Sequence, residues 1–264
     1  MGTQQRRHRA AEGVAPALGR VRVVSLGPGS PALLTAAARD ALAACQVVVG
    51  YTGYLEHVRD LLEGKRVLAF GMGEEQARVE TAVRLAQEGA TVALVSGGDA
   101  GVYGMAGLLF EHLVAQGWSA GRGVAVEVVP GVTAAVAAAA LVGAPLAADF
   151  AVVSLSDRYV PWEVVLRRVE AVAWADMVLV LYEPASRHRP RHIAEAQAVI
   201  ARHRQLETPV AVVRDAYRPG QEVALTTLGE MLACPMDMRT VVIVGNSTTR
   251  AHGGVLVTPR RYPG

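Results

Sequence analysis

The stretch of sequence that decides the fold reads Thr91-Val92-Ala93-Leu94-Val95-Ser96-Gly97-Gly98-Asp99-Ala100-Gly101. Its first six residues are mostly apolar, which is typical of a strand buried on both faces of a parallel sheet. The glycine-rich end predicts a turn, and the residues that follow, Val102–Ala115, have the composition of a helix. A strand, a glycine turn and a helix in this order predict one β-α unit of an α/β protein.

The same arrangement occurs twice more in the first half of the chain. The run Val21–Leu26 ends in Gly27-Pro28-Gly29-Ser30, and the run Val124–Val129 ends in Pro130-Gly131-Val132-Thr133. Between them a further helix is predicted over Tyr54–Leu62. Repeated β-α units predict a mostly parallel sheet with right-handed crossovers. Because open α/β sheets bind ligands where strands end in such turns, the three turns predict a ligand site at that edge.

The second half of the chain has a different order of elements. Two strands, Phe150–Leu155 and Met177–Tyr182, precede a long helix that is predicted from about Pro190 to His203. The later strands have no clear helix between them, so this sheet is predicted to be mixed. A break at Gly143-Ala144-Pro145 separates the halves. We therefore expect two α/β domains, 21–143 and 144–258, after a disordered extension of residues 1–20.

Composition excludes several classes of protein. The chain has 264 residues, of which 52% are hydrophobic and 19% are charged, and these values are typical of a globular protein. A net charge of +2 argues against a nucleic-acid binder. No apolar run approaches the roughly 18–20 residues that span a bilayer. The absence of an apolar signal core near the N-terminus favours a cytoplasmic location.

Known catalytic motifs are also missing. The turns lack both G-x-G-x-x-G and the Walker lysine, which argues against a dinucleotide oxidoreductase and a P-loop NTPase. Without H-E-x-x-H or C-x-x-C, no protein-bound metal is expected. His188 and His192 are four residues apart, but interleaved arginines disfavour a cation, so this segment is interpreted as a solvated basic helix start. Asp99 has two open roles, as an acceptor for a ribose or as a cap of the helix at Val102.

The order of the three turns resembles the tetrapyrrole methylases. The matching segments are Val24–Ser30 with Leu33-Leu34-Thr35, Ser96–Met105, and Val129–Ala134. Several other segments are similar to the C17-methyltransferases of that family: Val49–Leu55, Asp149–Asp157 with Pro161-Trp162-Glu163, Leu181–Ser186, Val244–Thr249 and Val257–Arg260. One departure is Glu183-Pro184-Ala185-Ser186, where the family usually has Asn-Pro-Arg-Ser.

The resemblance implies a fold and an activity. It implies two α/β domains with S-adenosylmethionine held in the cleft between them, S-adenosylhomocysteine as a product, and a homodimer. The implied substrate is precorrin-3B or cobalt-factor III, which is methylated at C17 before the macrocycle contracts. The alternatives are a sister methylase that acts at C11, C20 or on uroporphyrinogen, a Rossmann-type oxidoreductase, and a non-catalytic tetrapyrrole carrier.

The resemblance also implies site residues. By motif matching, the cofactor contacts are Pro28, Gly97, Gly98, Asp99, Val102, Thr133, Ala134, Tyr182 and Ala216. Arginines near the cleft suit the carboxylates of the substrate, because a guanidinium binds a carboxylate through two hydrogen bonds; the candidates are Arg78, Arg158 and Arg187. Ring contraction requires proton movement, for which the candidates are Tyr51, Tyr54, Tyr103 and Asp157.

Overall fold

The structure, a computed structural model, describes residues 18–260. The disordered extension predicted for residues 1–20 therefore lies outside the described residues, except for its last three positions. Within the described part of the chain, no helix is long and apolar enough to cross a membrane.

The first sheet contains five strands that all run parallel, in the order β3-β2-β4-β1-β5. Its strands are β1 (Arg20–Ser25), β2 (Val47–Tyr51), β3 (Arg66–Phe70), β4 (Thr91–Ser96) and β5 (Ala125–Val129). Strand β1 lies between β4 and β5, with Ser25 opposite Ser96 and Val24 opposite Val129. The turns that follow β1, β4 and β5 therefore lie side by side at one edge of the sheet.

Helices cover both faces of this sheet, as the buried strands predict. They are α1 (Ala36–Ala43), α2 (Thr52–Leu55), α3 (Glu75–Gln87) and α4 (Met105–Ala115). Val23 and Leu94 point to the face that packs against α3 and α4. The intervening residues, such as Val24 and Val95, point to the opposite face and pack with Leu42 of α1. Alternation along each strand thus builds two apolar layers.

The second sheet is mixed, with the order β10-β9-β11-β8-β7. Its strands are β7 (Phe150–Ser154), β8 (Val178–Tyr182), β9 (Pro209–Arg214), β10 (Glu222–Thr227) and β11 (Thr240–Val244). Strands β7 and β8 run parallel, and the other neighbouring pairs are antiparallel. The prediction of a parallel first sheet and a mixed second sheet is confirmed.

One face of the second sheet is covered by α6 (Trp162–Trp174) and α7 (His192–Ile200), and the other by α5 (Ala134–Val142). Although α5 follows the third turn of the first half, its alanines pack against Val180 and Ile243 of the second sheet. The short strand β6 (Gly143–Ala144) pairs with β13 (Val255–Val257), which in turn pairs with β12 (Arg250–His252). The boundary at residue 143 stays a prediction.

Two predicted helices of the first half differ from the structure. The helix predicted over Tyr54–Leu62 is divided: α2 ends at Leu55, and a 3-10 helix covers Glu56–Leu61. It is interrupted because the β-branched Val58 has non-helical backbone angles, with φ −126°. The helix predicted from Val102 begins instead at Met105, because Tyr103 has φ +52°, which no right-handed helix accommodates.

The predicted helix from Pro190 to His203 is shorter in the structure, where α7 spans His192–Ile200. Pro190 lies in a loop instead of the first helical turn. At the other end, the backbone N–H groups of Arg202 and His203 donate to carbonyls three residues earlier, so the last predicted turn is not α-helical.

Candidate functional site

The three glycine turns meet at the carboxyl edge of the first sheet. The first and second turns are joined by two reciprocal backbone hydrogen bonds: Gly27 N donates to Gly98 O at 3.0 Å, and Gly98 N donates to Gly27 O at 2.8 Å. The Ser25 hydroxyl, at the end of β1, accepts from Ala100 N at 2.8 Å. These bonds hold the first and second turns in one arrangement.

The carboxylate of Asp99 joins the second turn to the third. Its Oδ1 accepts from Gly101 N at 2.8 Å, and its Oδ2 accepts from Gly131 N, also at 2.8 Å. The contact with Val102 is made by the backbone, because Val102 N donates to Asp99 O at 3.2 Å. Asp99 therefore closes its own turn and holds the third turn, and each carboxylate oxygen keeps a lone pair for another donor.

Close backbone approach explains why glycine occupies this edge. A Cβ on Gly131 would lie 2.5 Å from Ser25 Cβ and 2.7 Å from Gly98 O, so only glycine fits there. A Cβ on Gly97 would lie 2.7 Å from the Cζ of Tyr54. Gly98 is different: its φ is +63°, and a Cβ there would find its nearest neighbours at 3.9 Å, Ala134 N and Thr133 Cα. Gly98 thus borders open space between the second and third turns.

A tyrosine from the second sheet binds the third turn. Tyr182 ends β8, and its hydroxyl lies 2.6 Å from Thr133 Oγ1 and accepts from Ala135 N at 2.6 Å. Burial raises the pKa of the Tyr182 phenol, against the opposing effect of its bonds to Thr133 and Ala135. The hydroxyl therefore stays neutral at physiological pH and links the start of α5 to the end of β8.

Tyr103, which follows β4 of the first sheet, reaches the second sheet across the space between the two sheets, here called the cleft. Its hydroxyl donates to Val152 O at 3.0 Å and accepts from Ser154 N at 3.2 Å, both on β7. Its ring lies 5.8 Å from the ring of Tyr182. Tyr103 and Tyr182 together connect the turn edge of the first sheet to the carboxyl ends of β7 and β8.

Arg218 forms a further connection between the two halves. It lies in the turn between β9 and β10, and its Nε donates to the carbonyl of Pro28, which is buried in the first turn. A Cβ on Gly29 would collide with the Arg218 side chain at 2.6 Å. Sequence reasoning missed Arg218, because nothing in its local pattern shows that the turn from residue 214 to 222 reaches the first sheet.

Strained backbone is concentrated around the cleft. Of the five described non-glycine residues with positive φ, Tyr103, Glu183, Asp215 and Tyr217 lie in turns at strand ends that face it. Such conformations cost about 1–3 kcal/mol each and are concentrated at functional sites. Ala216 lies between two of these residues and packs in the same apolar cluster as Ala134 and Tyr182.

The remaining first-half candidates are two tyrosines near the end of β2 and a buried arginine of α3. The rings of Tyr51 and Tyr54 pack edge to face with centroids 5.2 Å apart. Burial raises the pKa of the Tyr54 phenol, and the positive charges of Arg218 and Arg78 only partly oppose this. Arg78 is almost fully buried, its Nη2 lies 2.9 Å from Glu75 Oε1, and its Nε has no hydrogen-bond partner.

The second-half candidates lie at the mouth of the cleft. Arg158 reaches across to the first half, where its Nη2 lies 3.2 Å from Glu75 Oε2. Asp157 is exposed beside it, and Arg187 is exposed in the segment between β8 and α7. Glu75 thus pairs with two of the three candidate arginines, Arg78 and Arg158.

The interpretation of residues 186–192 as a solvated basic helix start is wrong for two of its members. The side chains of Arg189 and His192 are only 12% and 13% exposed. Both are held against the carbonyl oxygen of Leu155 at 3.0 Å. The alternation of basic residues could not reveal this, because the partners come from the loop after β7.

Comparisons with known proteins identify the family of this chain. The family model described as tetrapyrrole (corrin/porphyrin) methylases matches residues 20–232. Among the described residues, no cluster of three or more His, Cys, Asp or Glu side chains is arranged to hold a metal ion.

Two curated relatives are similar over most of this chain. One is a probable cobalt-factor III C(17)-methyltransferase of Salmonella typhimurium, 46% identical over 91% of this chain and 98% of the relative. The other is a cobalt-factor III methyltransferase of Priestia megaterium, 43% identical over 92% of this chain. The chain spans only 45% of the length of the Priestia protein.

Two solved structures have the same architecture. The methyltransferase CobJ superposes with a TM-score of 0.84 at 35% identity, covering 91% of this chain and all of that one. The uroporphyrin-III C-methyl transferase of Thermus thermophilus, solved with S-adenosylhomocysteine, superposes with a TM-score of 0.67 at 26% identity, covering 86% of this chain and 97% of that one. From its sequence match and its fold, this chain belongs to the tetrapyrrole (corrin/porphyrin) methylase family.

Proposed function

We propose that this protein transfers a methyl group from S-adenosylmethionine to C17 of precorrin-3B or cobalt-factor III, in a reaction accompanied by ring contraction. The observation that carries the proposal is the double hydrogen bond of Asp99, which holds the second and third turns around one gap. The names of the relatives from Salmonella and Priestia support the choice of substrate. In this reading the protein acts in cobalamin biosynthesis.

The gap beside Gly98 fits the cofactor. Its walls are backbone groups of Gly98, Thr133 and Ala134, and a Cβ on Gly98 would project into it. We assign the side-chain oxygens of Asp99 and Thr133 to the ribose and amino groups of the cofactor, because such oxygens accept hydrogen bonds. In this assignment Pro28, Gly97, Val102, Tyr182 and Ala216 complete the contacts.

Methyl transfer requires the protein mainly to position the cofactor and the substrate. The bound cofactor supplies an electrophilic methyl group, so an activated side-chain nucleophile is unnecessary. What this chain must contribute is the orientation of the acceptor carbon against that methyl group. Tyr103 and Tyr182 join the two halves through hydrogen bonds and a ring contact, which favours a fixed placement of the two reactants.

The substrate requires flat and cationic surfaces. Tyr51 and Tyr54 offer aromatic rings at the end of β2, and Arg78, Arg158 and Arg187 offer guanidinium groups for acetate and propionate side chains. Rotation of the macrocycle by one pyrrole would present another carbon to the same methyl group. Specificity for C17 is therefore expected to depend on which arginines bind the carboxylates of the substrate.

The test uses carbon-13 methyl-labelled S-adenosylmethionine with precorrin-3B and with cobalt-factor III in separate incubations. We expect a carbon-13 signal from a methyl group on C17, together with the mass and visible spectrum of a ring-contracted product. A label at C11 or C20, or on uroporphyrinogen, would identify a sister methylase. Transfer to no tetrapyrrole would overturn the methyltransferase proposal.

We further propose that the protein is a cytoplasmic homodimer. Several large apolar side chains are exposed on the subunit, including Met72, Val114 and Trp174, which are 67%, 63% and 76% exposed. These side chains are available to the subunit contact that the family resemblance implies. Light scattering at micromolar concentration should give twice the subunit mass of 27.8 kDa, and a monomer would contradict the proposal.

A further inference from the structure

Four ionisable side chains form a cluster at the carboxyl ends of β7 and β8. Asp157 follows β7, Glu183 follows β8, and Arg189 and His192 come from the segment that leads into α7. The Asp157 side chain is 42% exposed, whereas those of Arg189 and His192 are 12% and 13% exposed. The aspartate therefore faces solvent and the two basic side chains lie behind it.

The imidazole of His192 is held in one orientation. Its ring stacks on Trp162, with centroids 3.8 Å apart and planes 10° from parallel. Its Nδ1 lies 3.0 Å from the carbonyl oxygen of Leu155. A carbonyl only accepts hydrogen bonds, so Nδ1 carries a proton, and in the neutral ring Nε2 has a free lone pair. That Nε2 lies 3.7 Å from Oδ2 of Asp157.

Charged side chains lie around the carboxylate of Asp157. Nε of Arg189 lies 4.0 Å from Asp157 Oδ1, and Nη2 of Arg189 donates to Glu183 Oε2 at 3.2 Å. The side chain of Arg158, the next residue, is directed away to the first half, where its Nη2 lies 3.2 Å from Glu75 Oε2. Arg189 is therefore the cation that contacts both Asp157 and Glu183.

Trp162 connects the imidazole of His192 to a further carboxylate. The indole face of Trp162 is suited to a cation, and its Nε1 donates to the carboxylate of Glu195 at 2.6 Å. A proton received by Asp157 thus has a second acceptor directly behind it, at Nε2 of His192.

The cluster borders the proposed cofactor site. Ser154 N, three residues before Asp157, donates to the hydroxyl of Tyr103, whose ring contacts that of Tyr182. Glu183 directly follows Tyr182. Arg158, the residue after Asp157, reaches Glu75 of the first half, so Asp157 lies where the two halves approach each other, on the side of the second sheet.

We propose that Asp157 is the base that removes a proton from the tetrapyrrole during ring contraction, and that His192 is a positioning residue that receives this proton from it. The inference rests on the proposed function. The proton passes from the substrate to an oxygen of Asp157 and then to Nε2 of His192, leaving its electron pair on the substrate, and it is later released to solvent. No electron is transferred to or from the protein.

The test separates methyl transfer from ring contraction in full-length protein incubated with labelled cofactor and precorrin-3B. Asp157→Asn should lower the rate of ring contraction about 100-fold, and His192→Asn by about tenfold. Release of S-adenosylhomocysteine should remain within about twofold of the original protein in both variants. Controls are Asp149→Asn, just before the opposite end of β7, and His188→Asn, an exposed histidine in the same segment.

An unchanged rate of ring contraction in Asp157→Asn would overturn the inference. An equal fall in the rates of ring contraction and of S-adenosylhomocysteine release would also overturn it, because it would indicate a merely structural role. Nitrogen-15 NMR of the histidine side chains gives a readout that does not depend on activity. We expect neutral His192 to carry its proton on Nδ1, and a proton on Nε2 alone would also refute the relay. If the original protein methylates no tetrapyrrole at C17, the proposed function fails as well.

Discussion

The Gly98→Val variant is expected to lose affinity for S-adenosylhomocysteine by at least about 100-fold, or about 2.7 kcal/mol, while it remains folded. Gly98 has φ +63° and borders the gap between the second and third turns. A Cβ there has its nearest neighbours at 3.9 Å, so no surrounding atom must move to admit it, although the left-handed backbone itself is strained by a Cβ. The branched methyl groups of valine would extend into the gap that we assign to the cofactor.

The matched control is Gly64→Val. Gly64 also has positive φ, +72°, and a Cβ there meets nothing within 4 Å. Both variants carry the strain of a β-branched residue in the left-handed region, about 1–2 kcal/mol, so both should lose similar thermal stability. Isothermal titration calorimetry should show weakened binding only for Gly98→Val. Unchanged affinity in a folded Gly98→Val protein would mean that the cofactor does not occupy this gap.

Asp99→Ala is expected to have an effect of similar size through a different mechanism. The variant loses both hydrogen bonds of the carboxylate, to Gly101 N and to Gly131 N, and each hydrogen bond to a charged group contributes about 1.5–3 kcal/mol. Without the second bond, the third turn is no longer held against the second. We expect about 100-fold weaker binding of S-adenosylhomocysteine and a lower melting temperature.

Two companion variants separate affinity from stability. Asp99→Asn retains one acceptor oxygen and replaces the other with a donor, so it should bind more tightly than Asp99→Ala but less tightly than the original protein. Asp176→Ala removes bonds to Ser247 N and Oγ at the opposite end of β8. It should lower stability without changing affinity. If Asp176→Ala and Asp99→Ala weaken binding equally, Asp99 has no specific role at the cleft.

Much of the fold could be predicted because its signals are local. A run such as Thr91–Ser96 is apolar at consecutive positions since the strand is buried on both faces, and a glycine turn ends it. The second sheet was predicted to be mixed because its later strands have no clear helix between them. Two helices of the first half differ from the prediction because a single residue, Val58 or Tyr103, has non-helical backbone angles, which the apolar pattern around it does not reveal.

The candidate site was predictable only in part. Gly97, Gly98 and Asp99 could be singled out because close backbone approach demands glycine next to a short polar side chain. Arg218 and His192 could not, because their partners, Pro28 and Leu155, lie 190 and 37 residues away in the chain.

By itself, the sequence determined the order of strands and turns, the parallel and mixed sheets, and membership of the methylase family. Each of these features depends on short contiguous segments of the chain. Only the tertiary structure decided that α5 packs on the second sheet, that Asp99 joins two turns, and that His192 lies behind Asp157. The physical reason is the distance along the chain between the residues that interact. A hydrophobic period reports what one segment buries, whereas a hydrogen bond or an ion pair depends on which distant segment the folded chain brings within about 3–4 Å.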